Sequence, residues 1–184
     1  MAFTRASGIL LHPTSLPGRY GIGDLGQVAY RFVDFLAETK QQLWQILPLG
    51  PTGHGNSPYM CYSAMAGNRL LISLDGLLEQ GLLTKADLGE VPEFSRERVD
   101  YEHVIPYKLG LLKRAAQTFQ ATESQEFNEF CKTAAFWLED YSLFMALKEA
   151  NHGTSWSEWD SAIARREPEA LETWRTKLAD AIFL

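Results

Sequence analysis

Two short apolar runs near the start of the chain flank a segment with helical periodicity. The runs span residues 8–12 and 43–47, and each is ended by a proline. A strand, a helix that begins near an N-cap at Asp24 and a second strand predict a βαβ unit with parallel strands. The helix shows one apolar stripe at spacings of three and four: Leu25, Val28, Ala29, Phe32, Phe35 and Leu36.

Beyond the first 75 residues the apolar spacing is that of successive amphipathic helices. A short helix is predicted around residues 77–82, and a second around 107–115 with Pro106 near its first turn. The longest should run from an N-cap at Ser124 to about Ala150, and two more amphipathic helices follow it. The apolar stripe of the longest helix is expected to pack in the core: Phe127, Phe130, Ala134, Trp137, Leu138, Tyr141, Phe144 and Met145.

The composition is that of an ordinary globular protein. Hydrophobic residues make up 46% of the 184 residues, and 17 Lys and Arg against 23 Asp and Glu leave a net charge of −6. This mild acidity argues against nucleic acid or a membrane surface as a partner, and no apolar run reaches the roughly 18 residues of a membrane span. Cys61 and Cys131 lie too far apart for a metal knuckle. We therefore expect a cytoplasmic protein without a metal or other cofactor.

Two glycine-rich segments have the spacing of nucleotide-binding motifs but lack a required part. Gly21, Gly23 and Gly26 spell GxGxxG, yet two prolines separate them from the first strand. No carboxylate follows at the expected distance of about 20 residues. Residues 50–57 are spaced like a phosphate loop, with Asn56 where the lysine should stand. Nucleotide binding is not favoured, and the long loop that begins there stays open as a functional loop or a structured cover.

Six stretches of the sequence carry a family resemblance. In chain order they read LHPTSLPG (11–18), YGIGDLG (20–26), WQILPLGPTG (44–53), NSPY (56–59), SAMAGN (63–68) and WLEDYSLFMALK (137–148). They resemble stretches of amylomaltase, the 4-α-glucanotransferase family, in the same order and over nearly the whole chain.

The resemblance implies an α/β fold: the N-terminal part of a (β/α)8 TIM barrel, with its first two strands and a mostly helical inserted subdomain. Residues 1–74 would form the first βαβ unit with substrate loops, and residues 75–184 the helical subdomain. The family moves segments of α-1,4-glucan to a sugar 4-hydroxyl with retention of configuration, using a carboxylate nucleophile and a glutamate acid/base. No position of this chain matches the motifs of those carboxylates, so no catalytic residue is expected here.

The resemblance also implies a substrate contact in the loop after the second strand. Tyr59 matches the family's tyrosine that stacks under the sugar beside the cleaved bond, and a flat ring suits the C–H face of a pyranose. Asn56 and Ser57 are expected to bond sugar hydroxyls. His54 and Tyr101 match positions of a second, surface glucan contact in some family members. The expected ligand is a maltooligosaccharide or a longer α-glucan.

The end of the chain predicts that a further part follows. Residues 181–184 are apolar and carry no cap, and two parallel strands need neighbouring strands for a stable sheet. We therefore expect the rest of the barrel, from the same chain, as the partner of this part, and no turnover without it. The alternative left open is a non-catalytic module that binds a glucan or another protein.

Overall fold

The computed structural model describes residues 5–122 and 124–183, with the side chain of His54 outside that description. The chain divides into two compact units, one up to Thr122 and one after it. The predicted division into residues 1–74 and 75–184 concerns a barrel and its insertion, and it stays a prediction. None of the helices in the described ranges is both long and apolar enough to cross a bilayer.

The first unit opens with the predicted βαβ unit. Strands β1 (Gly8–Leu10) and β2 (Leu43–Gln45) pair in parallel, with Ile9 beside Trp44, and helix α1 (Gln27–Glu38) joins them. The prediction of two parallel strands connected by a helix is confirmed. The strands are shorter than the apolar runs, and each strand ends two residues before its run does.

Side-chain contacts hold the two strands and the helix together. The indole Nε1 of Trp44 donates to the carbonyl of Leu11 at 2.7 Å. The same ring meets Phe32 of α1 edge-on, with 5.0 Å between the ring centroids. Gly8 is required at its position because a Cβ there would lie 2.6 Å from the Cβ of Leu43 on the paired strand. The first strand therefore begins where the absence of a side chain lets the second approach.

The predicted N-cap at Asp24 is wrong, because α1 begins at Gln27 and Gly26 holds the N-cap position. The Asp24 carboxylate instead bonds to the loop before the helix and to a lysine far along the sequence. Its Oδ1 accepts the N–H of Gly26 at 2.9 Å, and its Oδ2 lies 3.4 Å from the Nζ of Lys108. A capping residue offers its oxygen to the N–H groups of the first helical turn. At this position a long-range ion pair takes the carboxylate away from that role.

The three glycines of the GxGxxG pattern allow close packing. At Gly21, whose φ is +77°, a Cβ would collide with an aromatic ring. A Cβ at Gly23 would meet the carbonyl oxygen of Pro13, and one at Gly26 would meet the hydroxyl of Ser73. Each glycine therefore has a steric reason within the fold that involves no phosphate.

Three helices complete the first unit: α2 (Leu74–Glu79), α3 (Lys85–Leu88) and α4 (Tyr101–Gln120). The Ser73 hydroxyl caps α2, and a reciprocal capping box between Thr84 and Asp87 starts α3. Their apolar faces share one core with the first loop: Tyr20, Leu74, Leu83, Leu88, Leu111 and Ala115.

Pro106 lies further inside its helix than predicted, because α4 begins five residues earlier at Tyr101. An interior proline removes one helical hydrogen bond, here to the carbonyl of Glu102. Glu102 is exposed, so water offers its carbonyl a replacement partner. On the opposite side of the helix, Val104 and Lys108 have no exposed surface, so packing holds the helix on both sides of the proline.

The second unit is helical: α5 (Gln125–Ala150), α6 (Ser161–Ala164), α7 (Pro168–Lys177) and α8 (Ala179–Phe183). Helix α5 is capped as predicted, since the Ser124 Oγ accepts the N–H of Phe127 at 3.2 Å, and it ends at the predicted residue. Two helices were predicted after α5, and the structure has three: α6, α7 and α8. Leu178 leaves the helical conformation and separates α7 from α8.

The buried face of α5 differs from the predicted stripe. Of that stripe only Ala134 is buried, and the buried set is completed by Leu143, Ala146 and Leu147. Leu143 and Leu147 share a core with Trp159 and with partly buried residues of the later helices. The direction from which those helices pack decides the buried face, and the spacing along α5 does not contain that information.

Candidate functional site

The loop after β2 folds into a small hairpin over residues 51–62, here called the Tyr59 hairpin. Thr52 and Cys61 pair across it as an isolated antiparallel bridge. Next to this bridge the N–H of Gly53 donates to the carbonyl of Met60 at 2.7 Å. The loop is therefore a braced element, although its sequence shows no strand pattern.

The tip of the Tyr59 hairpin is a single 3-10 turn, His54–Asn56. Gly55 and Asn56 both have positive φ values, +66° and +54°, in the left-handed region that glycine and asparagine tolerate best. Ser57 then fixes the descending side, because its Oγ accepts the N–H of Tyr59 at 3.3 Å. The turn and the serine together set where the tyrosine leaves the backbone.

Two glycines at the base let the two sides of the hairpin approach each other. A Cβ at Gly53 would lie 2.7 Å from the carbonyl oxygen of Met60. A Cβ at Gly50 would lie 2.9 Å from both the Sγ of Cys61 and the carbonyl oxygen of Ser63. The glycines that give residues 50–57 a spacing like that of a phosphate loop are therefore explained by close packing.

Residues 48 and 49, which lead into the Tyr59 hairpin, are bonded both to the chain after the hairpin and to the loop that follows β1. The N–H of buried Asn68 donates to the carbonyl of Leu49 at 2.7 Å. The Nε2 of His12 lies 3.4 Å from the carbonyl oxygen of Pro48, and its Nδ1 lies 2.7 Å from the Oγ1 of Thr14. Both loops leave the C-terminal edge of the parallel pair, which is the edge where α/β folds place ligands.

The hairpin presents an aromatic ring in an uncharged setting. Tyr59 is 71% exposed, on backbone already held by hydrogen bonds. Residues 51–62 contain no Asp, Glu, Lys or Arg. Within the described residues, no group of three His, Cys, Asp or Glu side chains is placed to hold a metal ion. The arrangement suits a neutral ligand with a flat apolar face, and the hairpin contains no carboxylate.

The predicted site residues fall on two elements of the first unit. The Tyr59 hairpin carries Asn56, Ser57, Tyr59 and His54, and the side chain of His54 lies outside the described part of the structure. Tyr101 is the first residue of α4 and is half-buried. It packs against a small core of three residues: Ile22, Leu70 and Val104.

Lys108 was missed by the sequence reasoning, although it holds the first loop against α4. It is fully buried, and its Nζ donates to the carbonyl of Leu70 at 2.7 Å and to the Asp24 carboxylate at 3.4 Å. Burial lowers the pKa of Lys108, and the Asp24 carboxylate partly opposes that shift. Lysines in amphipathic helices are normally exposed, so no local signal marks this one.

Tyr20 makes a second long-range polar contact from the same loop. Its hydroxyl donates to the Asp75 carboxylate of α2 at 2.5 Å, and its ring stacks on Tyr107 of α4 with 6.5 Å between centroids. Burial, followed by the hydrogen bond to Asp75, raises the pKa of Tyr20. The loop between β1 and α1 is thus fastened to α2 and α4 by polar contacts at two points.

Residues 11–184 match a family of glycoside hydrolases, family 77. That family model is described as 4-alpha-glucanotransferase, and the chain belongs to this family. The resemblance drawn from the sequence stretches is thereby confirmed.

Individual relatives agree with the family match. The chain is 57% identical to a 4-alpha-glucanotransferase of Synechocystis sp. over 178 residues, which are 95% of this chain and 35% of that protein. It is 46% identical to the 4-alpha-glucanotransferase of Thermus thermophilus over 186 residues, covering 99% of this chain and 36% of that one. The chain therefore spans about a third of the length of these relatives.

A solved structure shares the fold. Amylomaltase from Streptococcus agalactiae in complex with acarbose matches with a TM-score of 0.92 at 43% identity. The match covers 98% of this chain and 37% of that one.

Proposed function

We propose that this chain is the N-terminal part of a cytoplasmic 4-α-glucanotransferase, which transfers a segment of α-1,4-glucan to the 4-hydroxyl of another sugar. Its strands would be the first two of a (β/α)8 barrel, with residues 1–74 as the first βαβ unit and 75–184 as the helical subdomain. Family membership and the likeness to amylomaltase support this proposal. So does the parallel pairing of β1 and β2, with long loops at the C-terminal edge.

The observation that carries the proposal is the exposed ring of Tyr59 on a braced, uncharged hairpin. A glucose unit has an apolar C–H face that stacks on an aromatic ring, and a hydroxyl rim that needs hydrogen-bond partners. Ser57 can donate to that rim, because its Oγ already accepts the N–H of Tyr59 and its own hydrogen remains to be shared. The Asn56 amide offers both a donor and an acceptor.

The proposed reaction divides labour between this chain and other parts of the barrel. Retention requires a carboxylate that attacks the anomeric carbon and a second carboxyl group that protonates the leaving oxygen. The Tyr59 hairpin has neither group. We assign to this chain the positioning of the sugar, and to other strands of the barrel the nucleophile and the acid/base.

A second glucan contact at His54 and Tyr101 is part of the proposal. Tyr101 is half-buried at the start of α4, so it keeps accessible surface while the small core beneath holds it in place. His54 begins the turn at the tip of the Tyr59 hairpin. Substitution of each residue separately and together, with amylose as the probe, measures this contact.

Calorimetric titration of the chain with maltoheptaose tests the main contact. Tyr59→Ala should weaken binding about tenfold, equivalent to roughly 1.4 kcal/mol, while Tyr59→Phe keeps the ring and most of the affinity. Tyr30→Ala is the matched control, because Tyr30 is 67% exposed on α1. Equal affinity of Tyr59→Ala and the unchanged chain would remove the main support of the proposal.

Incubation of the purified chain with maltotriose tests the division of labour. No glucose and no longer maltooligosaccharides should form, since the carboxylates are assigned to other strands. Release of glucose together with maltopentaose by this chain would overturn that assignment.

A further inference from the structure

Two tryptophans three residues apart in the second unit have opposite surroundings. Trp159 is 8% exposed and packs against Phe144 of α5, with 5.6 Å between ring centroids. Trp156 is 58% exposed, whereas the other four tryptophans are buried or half-buried. Tryptophan is highly buried on average, so an exposed indole on an ordered loop is a surface on which a ligand can stack.

The loop that carries Trp156, residues 151–160, is held by its own hydrogen bonds. The Nζ of Lys148 donates to the carbonyls of Gly153 and Thr154 at 2.8 and 3.2 Å. The hydroxyl of Thr154 donates to the carbonyl of Asn151 at 3.0 Å. Because the loop is already ordered, a ligand that stacks on the indole pays little of the usual entropy cost of ordering a loop.

Hydrogen-bonding groups flank the exposed indole on both sides in the sequence. The hydroxyls of Ser155 and Ser157 lie 2.9 Å apart, and Glu158 is exposed beside them. Hydroxyls can donate and accept, and a carboxylate accepts from up to two sugar hydroxyls. A flat apolar ring with polar groups on the neighbouring residues is the combination that a pyranose needs, because the sugar has an apolar C–H face and a hydroxyl edge.

Phe136 is even more exposed, at 78%, but its surroundings differ. It lies on α5, seven and eleven residues before Leu143 and Leu147, and therefore on the same helical face as those buried residues. Phe136 thus extends an existing packing face, whereas Trp156 stands on a loop beside hydroxyls and a carboxylate. This contrast separates a packing surface from a sugar surface.

We propose that Trp156, with Ser155, Ser157 and Glu158, binds one or two glucose units of an α-1,4-glucan. The identity of the ligand rests on the proposed function; the shape and chemistry of the surface do not. The site belongs to the second unit, while the Tyr59 hairpin belongs to the first. The chain would then hold a long glucan at a position additional to the Tyr59 contact.

The indole N–H resonance of Trp156 in an 15N-labelled chain tests the proposal, assigned by its loss in Trp156→Phe. Maltoheptaose is the probe, and the β-linked cellohexaose is the control ligand. The resonance should move saturably with maltoheptaose and not with cellohexaose, and it should do so equally in Tyr59→Ala. Followed by the backbone amide resonances of residues 155–158, binding should be about tenfold weaker in Trp156→Ala and unchanged in Phe136→Ala.

Three outcomes overturn the inference or separate it from the proposed function. A Trp156 resonance that stays fixed up to the solubility limit of maltoheptaose, while resonances of the Tyr59 hairpin move, overturns the inference and leaves the proposed function standing. A shift of Trp156 that disappears in Tyr59→Ala also overturns it, because the indole then only reports on the other contact. A shift of Trp156 with a silent hairpin supports the inference and counts against the assigned role of Tyr59.

Discussion

The ammonium group of Lys108 lies 3.4 Å from the carboxylate of Asp24, across 84 residues of sequence. Lys108 has no exposed surface, and its Nζ also donates to the carbonyl of Leu70. Removing one partner of a buried ion pair leaves the other charge uncompensated, whereas removing both also removes the cost of burying them. This pair therefore fixes where the loop before α1 meets α4.

Lys108→Met should lower the free energy of unfolding by about 3 kcal/mol, because Asp24 and the Leu70 carbonyl lose their shared donor. The double variant Asp24→Asn/Lys108→Met should cost less than the single variant. Urea unfolding followed by circular dichroism measures both. If the double variant loses as much stability as Lys108→Met or more, the charges are not coupled and the pair is only a close approach.

Tyr20 should make stability fall at alkaline pH. Burial and the bond to Asp75 raise the pKa of Tyr20 above its ordinary value of 10.0, so the folded protein keeps the proton after the unfolded chain has lost it. Its contribution is therefore complete below pH 10 and declines as the pH rises above that value. Urea midpoints measured from pH 8 upward should fall less steeply in Tyr20→Phe. Parallel slopes in the two proteins would contradict this assignment.

Two glycine-to-alanine changes should have opposite effects on stability. A Cβ at Gly23 meets the carbonyl oxygen of Pro13, which is backbone and cannot move aside, so Gly23→Ala should cost about 3 kcal/mol. Gly110 lies inside α4 with no atom within 4 Å of an added Cβ. Gly110→Ala should raise stability by up to about 1 kcal/mol, since alanine favours the helix. Thermal unfolding distinguishes the two, and a stabilised Gly23→Ala would refute the packing role of the GxGxxG glycines.

Alanine at Trp159 and at Trp156 should separate a core role from a surface role. Trp159→Ala opens a cavity beneath α5 and should cost about 3–5 kcal/mol. Trp156→Ala removes an exposed ring and should change stability by no more than about 0.5 kcal/mol. Thermal melts of both variants check this directly. A large loss for Trp156→Ala would mean that its indole packs within the fold.

Elements whose causes are local could be predicted from the sequence. The two parallel strands, the crossover helix and the helix that starts at Ser124 depend on apolar spacing, prolines and a cap, which neighbouring residues supply. The family followed in the same way, because its motifs are contiguous stretches of the chain. The hairpin residues Asn56, Ser57 and Tyr59 were found through those motifs, and their binding role stays a prediction.

Other features depend on which distant segments meet, and only the tertiary structure decided them. Asp24 has the sequence of a helix cap, yet Lys108 engages it from α4. The bridge between Thr52 and Cys61 turns an irregular loop into a braced hairpin. Which side of α5 is buried depends on helices that follow it, through the contacts of Leu143 and Trp159. Periodicity and caps act over a few residues, whereas burial and ion pairing are set by the approach of surfaces far apart in sequence, and so the sequence by itself determined the elements and the family but not these contacts.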